Sequence, residues 1–219
     1  MTDYHPYMNH SQLNILQRMG IETWQLRQAP LEIPQNAWEN LQLAVKACTA
    51  CPLACTRTQT VFGVGSTKAQ LMLVGEAPGF YEDQQGEPFV GRAGKLLDAM
   101  LNALGLTRND VFIANILKCR PPNNRDPLPE EVSQCTPFLE KQIAFVKPKL
   151  LVAVGRISAH FLLKTKSPLN TLRQKIHQTS TDTPLIVTYH PAYLLRNPQD
   201  KRRAWADLQF IRRTLAEQA

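Results

Sequence analysis

The chain has 219 residues, 43% of them hydrophobic, and a formal net charge of +7. That apolar share supports a sizeable core and excludes wholesale disorder, while the lack of any 18-residue apolar run excludes a membrane-spanning helix. The basic balance favours polyanionic partners such as nucleic acid.

The first stretch, Met1–Ser11, is polar and has no apolar signal core, so a cytoplasmic protein is expected. Residues 1–36 read as a separate extension and 37–219 as the main domain. Within the extension, Gln12–Arg27 carries Leu13, Ile15, Leu16, Met19, Ile21, Trp24 and Leu26 at helical spacing, broken by Gly20, and Pro30 and Pro34 mark a linker. A second helical pattern holds Trp38, Leu41, Leu43 and Val45. Cys48 and Cys51 follow as a C-x2-C pair, with Cys55 four residues on.

Leu71–Val74 is a short apolar run that reads as a buried strand. The stretch Val74–Asp98 after it holds a long Gly-rich loop and enters a helix near 93–104. In α/β proteins such loops, at the carboxyl ends of strands, are where ligands bind. Val111–Ile116 is a second strand, running into the basic loop Lys118–Arg125. Pro129-Glu130-Glu131 suits the first turn of a helix, which carries Cys135 and ends before Pro148. Leu150–Val154 is a third strand, followed at Gly155 by a helix with Ile157, Phe161 and Leu162. Leu185–Thr188 is a fourth, leading into Tyr189-His190-Pro191. The last helix, about 200–217, is expected to turn Trp205, Leu208, Ile211 and Leu215 inward and Lys201, Arg202, Arg212 and Arg213 outward. Four apolar strands alternating with helices predict a four-stranded parallel sheet covered on both faces, a three-layer α/β/α sandwich. The Gly-rich loop, the Asn115–Arg125 loop and the His190 loop then share one rim.

Five cysteines in a cytoplasmic chain point to metal ligands or free thiols rather than disulfides. Cys48, Cys51, Cys119 and Cys135 can converge on an iron–sulfur cluster, since four sulfurs need only meet in space. Zinc and buried free thiols are the alternatives at this point, and Cys55 is left over.

Gly75-Glu76-Ala77-Pro78-Gly79, Pro88-Phe89-Val90-Gly91, Ala93-Gly94, Asn115, Lys118-Cys119-Arg120-Pro121-Pro122 and His190-Pro191 together resemble the family 4 uracil-DNA glycosylases over about residues 40–217. Thr56–Gly63 fits the same pattern. The resemblance implies a [4Fe-4S] cluster on Cys48, Cys51, Cys119 and Cys135 with a structural role. It also implies hydrolysis of the bond between uracil and deoxyribose, which requires the base to leave the stack.

By that resemblance Phe89 stacks on the flipped base, Asn115 reads its edge, Glu82 blocks the 5-methyl of thymine, and His190 donates to uracil O2. A carboxamide can donate to O4 and accept from N3–H, a pattern that cytosine reverses. Better-known uracil glycosylases carry an Asp where this chain has Ala77, a departure the family shares. Glu76, Asp83 or loop amides are then left to hold the attacking water beside Ala77. Arg92, Lys118, Arg120, Arg125 and Arg196 are candidate DNA-backbone contacts, and Leu194 or Leu195 a wedge for the vacated space. No feature suggests a Schiff-base lysine, so no strand cleavage is expected. A non-catalytic iron–sulfur module and a nucleotide-binding α/β protein are the rival readings. The Gly-rich loop lacks both phosphate-binding glycine patterns.

Leu16–Arg27 is similar to the start of the psi subunit of the bacterial replicative clamp loader, through Gly20-Ile21-x-x-Trp24-x-Leu26-Arg27. That resemblance implies docking of residues 8–30 onto the loader, with Ile21, Trp24, Leu26 and Arg27 as contacts. A helix packing on its own domain is the alternative. A monomer acting on uracil-containing DNA, single- or double-stranded, is the expected working form.

Overall fold

The computed structural model describes residues 18–20, 36–179 and 182–218. The chain divides between Pro34 and Gln35 into two units. The expected contacts Ile21, Trp24, Leu26 and Arg27 lie outside the described residues.

The second unit opens with helix α1, Ala37–Lys46, and a 3-10 turn, Pro52–Cys55. Next come β1 (Val64–Gly65), β2 (Leu71–Gly75), α2 (Phe80–Gln85), α3 (Arg92–Ala103) and β3 (Val111–Asn115). The chain continues through α4 (Pro129–Val146), β4 (Leu150–Val154), α5 (Arg156–Leu163), α6 (Leu169–Leu172) and β5 (His177–Gln178). It ends with β6 (Pro184–Thr188), α7 (Pro191–Arg196) and α8 (Lys201–Glu217). Among the described residues no helix is long and apolar enough to cross a membrane.

The sheet order is β1-β3-β2-β4-β6-β5. The inner strands β3, β2, β4 and β6 are the four read from the sequence, and they pair in parallel. The expectation of four strands is corrected to six: β1 and β5, two residues each, add antiparallel edges. Segments so short carry no periodicity and exist only through their pairing.

Alternation splits each inner strand between two cores. Leu71, Leu73, Val111, Ile113, Val152 and Ile186 pack under α3 and α8 with Leu97, Leu101, Leu208 and Ile211. Met72, Val74, Phe112, Ala114, Leu151 and Val187 face α4 and α5 with Leu139, Ile143 and Ala159. Trp38 on α1 meets Phe112 edge-on at 5.3 Å, which seats α1 on the second face. Trp205 departs from expectation: it is 47% exposed, and its helix packs through Leu208 and Ile211 instead.

The register puts Gly75 beside Asn115 and Val154 beside Thr188. All four inner strands therefore deliver their carboxyl ends to one rim.

Candidate active site

Four loops meet on that rim around a cleft of about 670 Å³. Of the residues singled out in the sequence, Glu76, Ala77, Glu82, Phe89, Asn115, Arg125, His190 and Arg196 line it.

Asn115, the last residue of β3, is buried, and its Oδ1 has no hydrogen-bond partner among the described residues. A buried acceptor left unpaired costs ~1–3 kcal/mol, so its persistence at a cleft marks a group that waits for a ligand donor. Its main chain is fixed from behind. The Lys118 ammonium donates to the Asn115 carbonyl at 2.8 Å and to Gln142 Oε1 at 2.6 Å.

Gly75 explains how close the parts lie. A Cβ there would sit 2.3 Å from Asn115 Oδ1 and 2.8 Å from Phe89 Cζ. The amide and the ring thus converge over the Gly75 backbone. Phe89 reaches this place with φ 55°, a left-handed conformation that a bulky side chain adopts only under constraint. Arg108 supplies the constraint. It donates to the Pro88 carbonyl at 2.9 Å, to the Phe89 carbonyl, and to Asp98 Oδ1 at 2.7 Å. Glu82 Oε1 accepts from the Val90 amide at 3.0 Å and ties down the other flank of the same segment.

His190 follows β6 as the N-cap of α7. Its Nδ1 accepts from the Ala192 amide at 3.2 Å, so a neutral ring carries its proton on Nε2. Burial first, and Arg196 second, push its pKa down to about 4, so the neutral form holds across the physiological range. The rings of His190 and Phe89 are neighbours, with centroids 5.5 Å apart. Gly155, at φ 100°, lets β4 turn beneath the histidine: a Cβ there would stand 2.9 Å from His190 Cβ.

Glu76 and Asp83, the two acids weighed for the water, are separated by the fold. Glu76 lines the cleft, and burial, with Asp126 adding to it, raises its pKa to about 7. Asp83 is buried away from the cleft, with its carboxylate accepting from the Thr58 amide at 3.0 and 3.1 Å. It anchors the cysteine-bearing segment to α2 and is removed from the water-holding candidates.

Other assignments change as well. Lys118 is fully buried and pairs inward, so it is not a DNA-backbone contact; burial lowers its pKa to about 7. Arg125 lines the cleft, but its guanidinium is held by both oxygens of Glu131, at 2.5 and 2.9 Å. Leu194, on α7, is buried in the core, which leaves only the half-buried Leu195 of the two wedge candidates. Arg92 and Arg196 are exposed, and Arg120 is partly so.

Several site residues escaped the sequence reading. Asn124, Asp126, Arg156, Asn170 and Tyr189 line the cleft, and Arg108 braces it. The Gly155–Arg156 turn had a legible signal, strand-glycine-helix, and forms the fourth rim loop. Arg108 had none, since it follows an unremarkable turn.

Cys48, Cys51, Cys119 and Cys135 all line a second, enclosed pocket together with Val45, Ala54 and Phe138. Arg57 bridges the set, donating to Cys119 Sγ at 3.0 Å and to the Cys48 carbonyl at 2.7 Å. Cys55 is exposed and stands outside this lining. Among the described residues no three His, Cys, Asp or Glu side chains close to the spacing of a single-ion site. Around zinc, thiolates bound at ≈ 2.3 Å would crowd within roughly 4 Å of one another. The four thiols share the lining of one pocket without closing on a single ion among the described residues. Burial first, with Cys119 and Cys51 adding to it, pushes the Cys135 thiol up to about 11, so a bound cation would be needed to ionise it.

The sequence profile of the uracil DNA glycosylase superfamily matches residues 62–209, and the chain belongs to that superfamily. Its relatives include a type-4 uracil-DNA glycosylase of Archaeoglobus fulgidus, 42% identical over 76% of this chain and 87% of that protein. The type-4 uracil-DNA glycosylase of Pyrobaculum aerophilum is 45% identical over 79% of this chain and 92% of its own length. That of Thermotoga maritima is 45% identical over 73% and 83%.

Proposed function

We propose that this uracil-DNA glycosylase repairs DNA by hydrolysing the N-glycosidic bond of uracil, releasing the base and leaving the backbone intact. The observation that carries the reading is the unpaired, buried Oδ1 of Asn115, set against the Phe89 ring beside a neutral His190. A flipped uracil stacks on Phe89. Asn115 Oδ1 accepts its N3–H and the amide nitrogen donates to O4, a pair that cytosine cannot match. Glu82, held against the Val90 amide, narrows the space at C5.

As the bond from C1′ to the base nitrogen N1 lengthens, the electron pair passes to uracil, and His190 Nε2–H meets the growing charge on O2. A preorganised donor of this kind is usually the largest catalytic contribution. Water adds to the cation-like C1′ and gives its proton to Glu76, whose pKa near 7 suits a weak base.

Cys48, Cys51, Cys119 and Cys135 would hold a [4Fe-4S] cluster, whose contribution is to cross-link α4, the β3 loop and the segment before β1. No catalytic step needs it.

Residues 8–30 are read as a docking segment for the replicative clamp loader, on the strength of the psi-like motif. Binding of that peptide to clamp loader, lost on Trp24→Ala, tests this; no binding refutes it. We place the protein in the cytoplasm as a monomer, where DNA is the substrate.

The central test is uracil release from single-stranded DNA, followed by alkali cleavage of the abasic product. Asn115→Ala and His190→Ala are each expected to lose on the order of 10²–10³ in rate. Asn115→Asp should shift preference toward cytosine. Wild-type rates in both alanine variants would refute the assignment.

A further inference from the structure

The cleft accounts for the flipped base but not for a pair of aromatic side chains on its rim. Phe80 and Tyr81 open α2 and are 50% and 59% exposed. They meet edge to face, with centroids 5.4 Å apart. Neither belongs to a core cluster among the described residues, so core packing does not account for them. Gly79, just before Phe80, lines the cleft.

The guanidinium of Arg120 lies over the Phe80 ring, 5.0 Å from its centroid. Its Nε donates to Asn124 Oδ1 at 2.8 Å, and Asn124 also lines the cleft. The arrangement therefore spans the lip between two rim loops, the one after β2 and the one after β3. Arginine needs only one of its five N–H groups for Asn124, which leaves donors for a phosphate.

A half-exposed phenyl ring with a cation on one face is the composition of a stacking site for single-stranded nucleic acid. Flipping creates a need for one, because the base next to the extruded uracil loses its stacking partner. We propose that Phe80, braced by Arg120, is the platform on which the neighbouring base of the same strand stacks once uracil has entered the cleft. Tyr81 limits the platform at its edge. The proposal rests on the glycosylase reading and extends it from the uracil to its neighbour.

The test is single-turnover uracil excision from single-stranded oligonucleotides over a range of enzyme concentration. Three substrates are compared: one with normal bases, one with an abasic residue 5′ to the uracil, and one with it 3′. Base–aromatic stacking predicts that Phe80→Ala raises the half-saturating concentration about 5- to 140-fold on the normal substrate. Phe80→Trp should restore it. An abasic neighbour on one side should weaken the wild type by the same factor and cost Phe80→Ala nothing further, while the other side costs both proteins alike. Equal losses in the two proteins on both sides would overturn the platform. So would a Phe80→Ala protein that matches the wild type on the normal substrate. Should wild-type protein release no uracil from any substrate, the glycosylase reading itself falls, which is a distinct outcome. Phe80 is exposed, so thermal unfolding of Phe80→Ala should follow the wild type.

Discussion

Arg108→Ala tests whether Phe89, the proposed uracil platform, is held in place by a residue outside the cleft lining. Phe89 keeps φ 55°, and such a conformation in a bulky residue costs ~1–3 kcal/mol. Against that cost stand two guanidinium hydrogen bonds, to the carbonyls of Pro88 and Phe89, with Asp98 orienting the fork from the other side. Hydrogen bonds to charged groups contribute about 1.5–3 kcal/mol each when dry. The Arg108 side chain is 24% exposed, so water replaces part of this and roughly 2–3 kcal/mol in total is the realistic hold. That is comparable to the strain. Without Arg108 the segment relaxes and Phe89 leaves its place over Gly75.

Uracil release should then fall about 30-fold in kcat/KM, for a loss near 2 kcal/mol. Urea unfolding should show a smaller change, since relieved strain offsets part of the lost bonds. Arg108→Lys should recover stability more than activity, because an ammonium cannot fork to two carbonyls. The deciding measurement is the double-mutant cycle with Phe89→Ala. If Arg108 acts through Phe89, adding Arg108→Ala to Phe89→Ala costs almost nothing more in activity. Additive losses would refute the reasoning and leave Arg108 with a general structural role.

Gly75→Ala should cost on the order of 10² in rate while the protein stays folded, because the new methyl would lie 2.3 Å from Asn115 Oδ1 and displace the amide and the ring together; single-turnover kinetics with a circular dichroism control checks it. If Glu76 is the base, the rate should rise tenfold per pH unit up to about 7 and level off above, and Glu76→Gln should flatten that limb. His190 is about 4 in the fold and ordinarily 6.5, so the unfolded chain binds the extra proton and stability is lost as pH falls from 6.5 to 4. By linkage the loss approaches roughly 3 kcal/mol, and His190→Gln should remove that part of the slope in urea titrations at stepped pH. Purified protein should be yellow-brown with about four irons, and Cys119→Ala or Cys135→Ala should lose colour and solubility together; a colourless, zinc-loaded, fully active protein would refute the cluster.

The order of strands and helices was legible because it repeats. Leu71–Val74, Val111–Ala114, Leu150–Val154 and Leu185–Val187 are unbroken apolar runs, and only a sheet covered on both faces buries such runs. Placement of the Gly-rich, Asn115 and His190 loops on one rim followed, since parallel strands end together. The edge strands β1 and β5 were invisible, because two residues cannot show a period.

Which charges face the cleft was decided by tertiary structure alone. Lys118 and Arg120 sit two residues apart in one basic loop, yet Gln142, from α4, draws Lys118 inward, while Arg120 stays on the rim beside Phe80. Glu76 and Asp83 are both loop acids in sequence, but the Thr58 amide takes Asp83 out of the cleft. Trp205 matched an inward helical position and still faces solvent. Arg108 has no motif, and its role arises from two carbonyls about twenty residues earlier in the chain. Periodicity is a local property that the chain states about itself. The partner of a charged or hydrogen-bonding group is a pairwise property, set by residues that only the folded sheet brings within 3 Å.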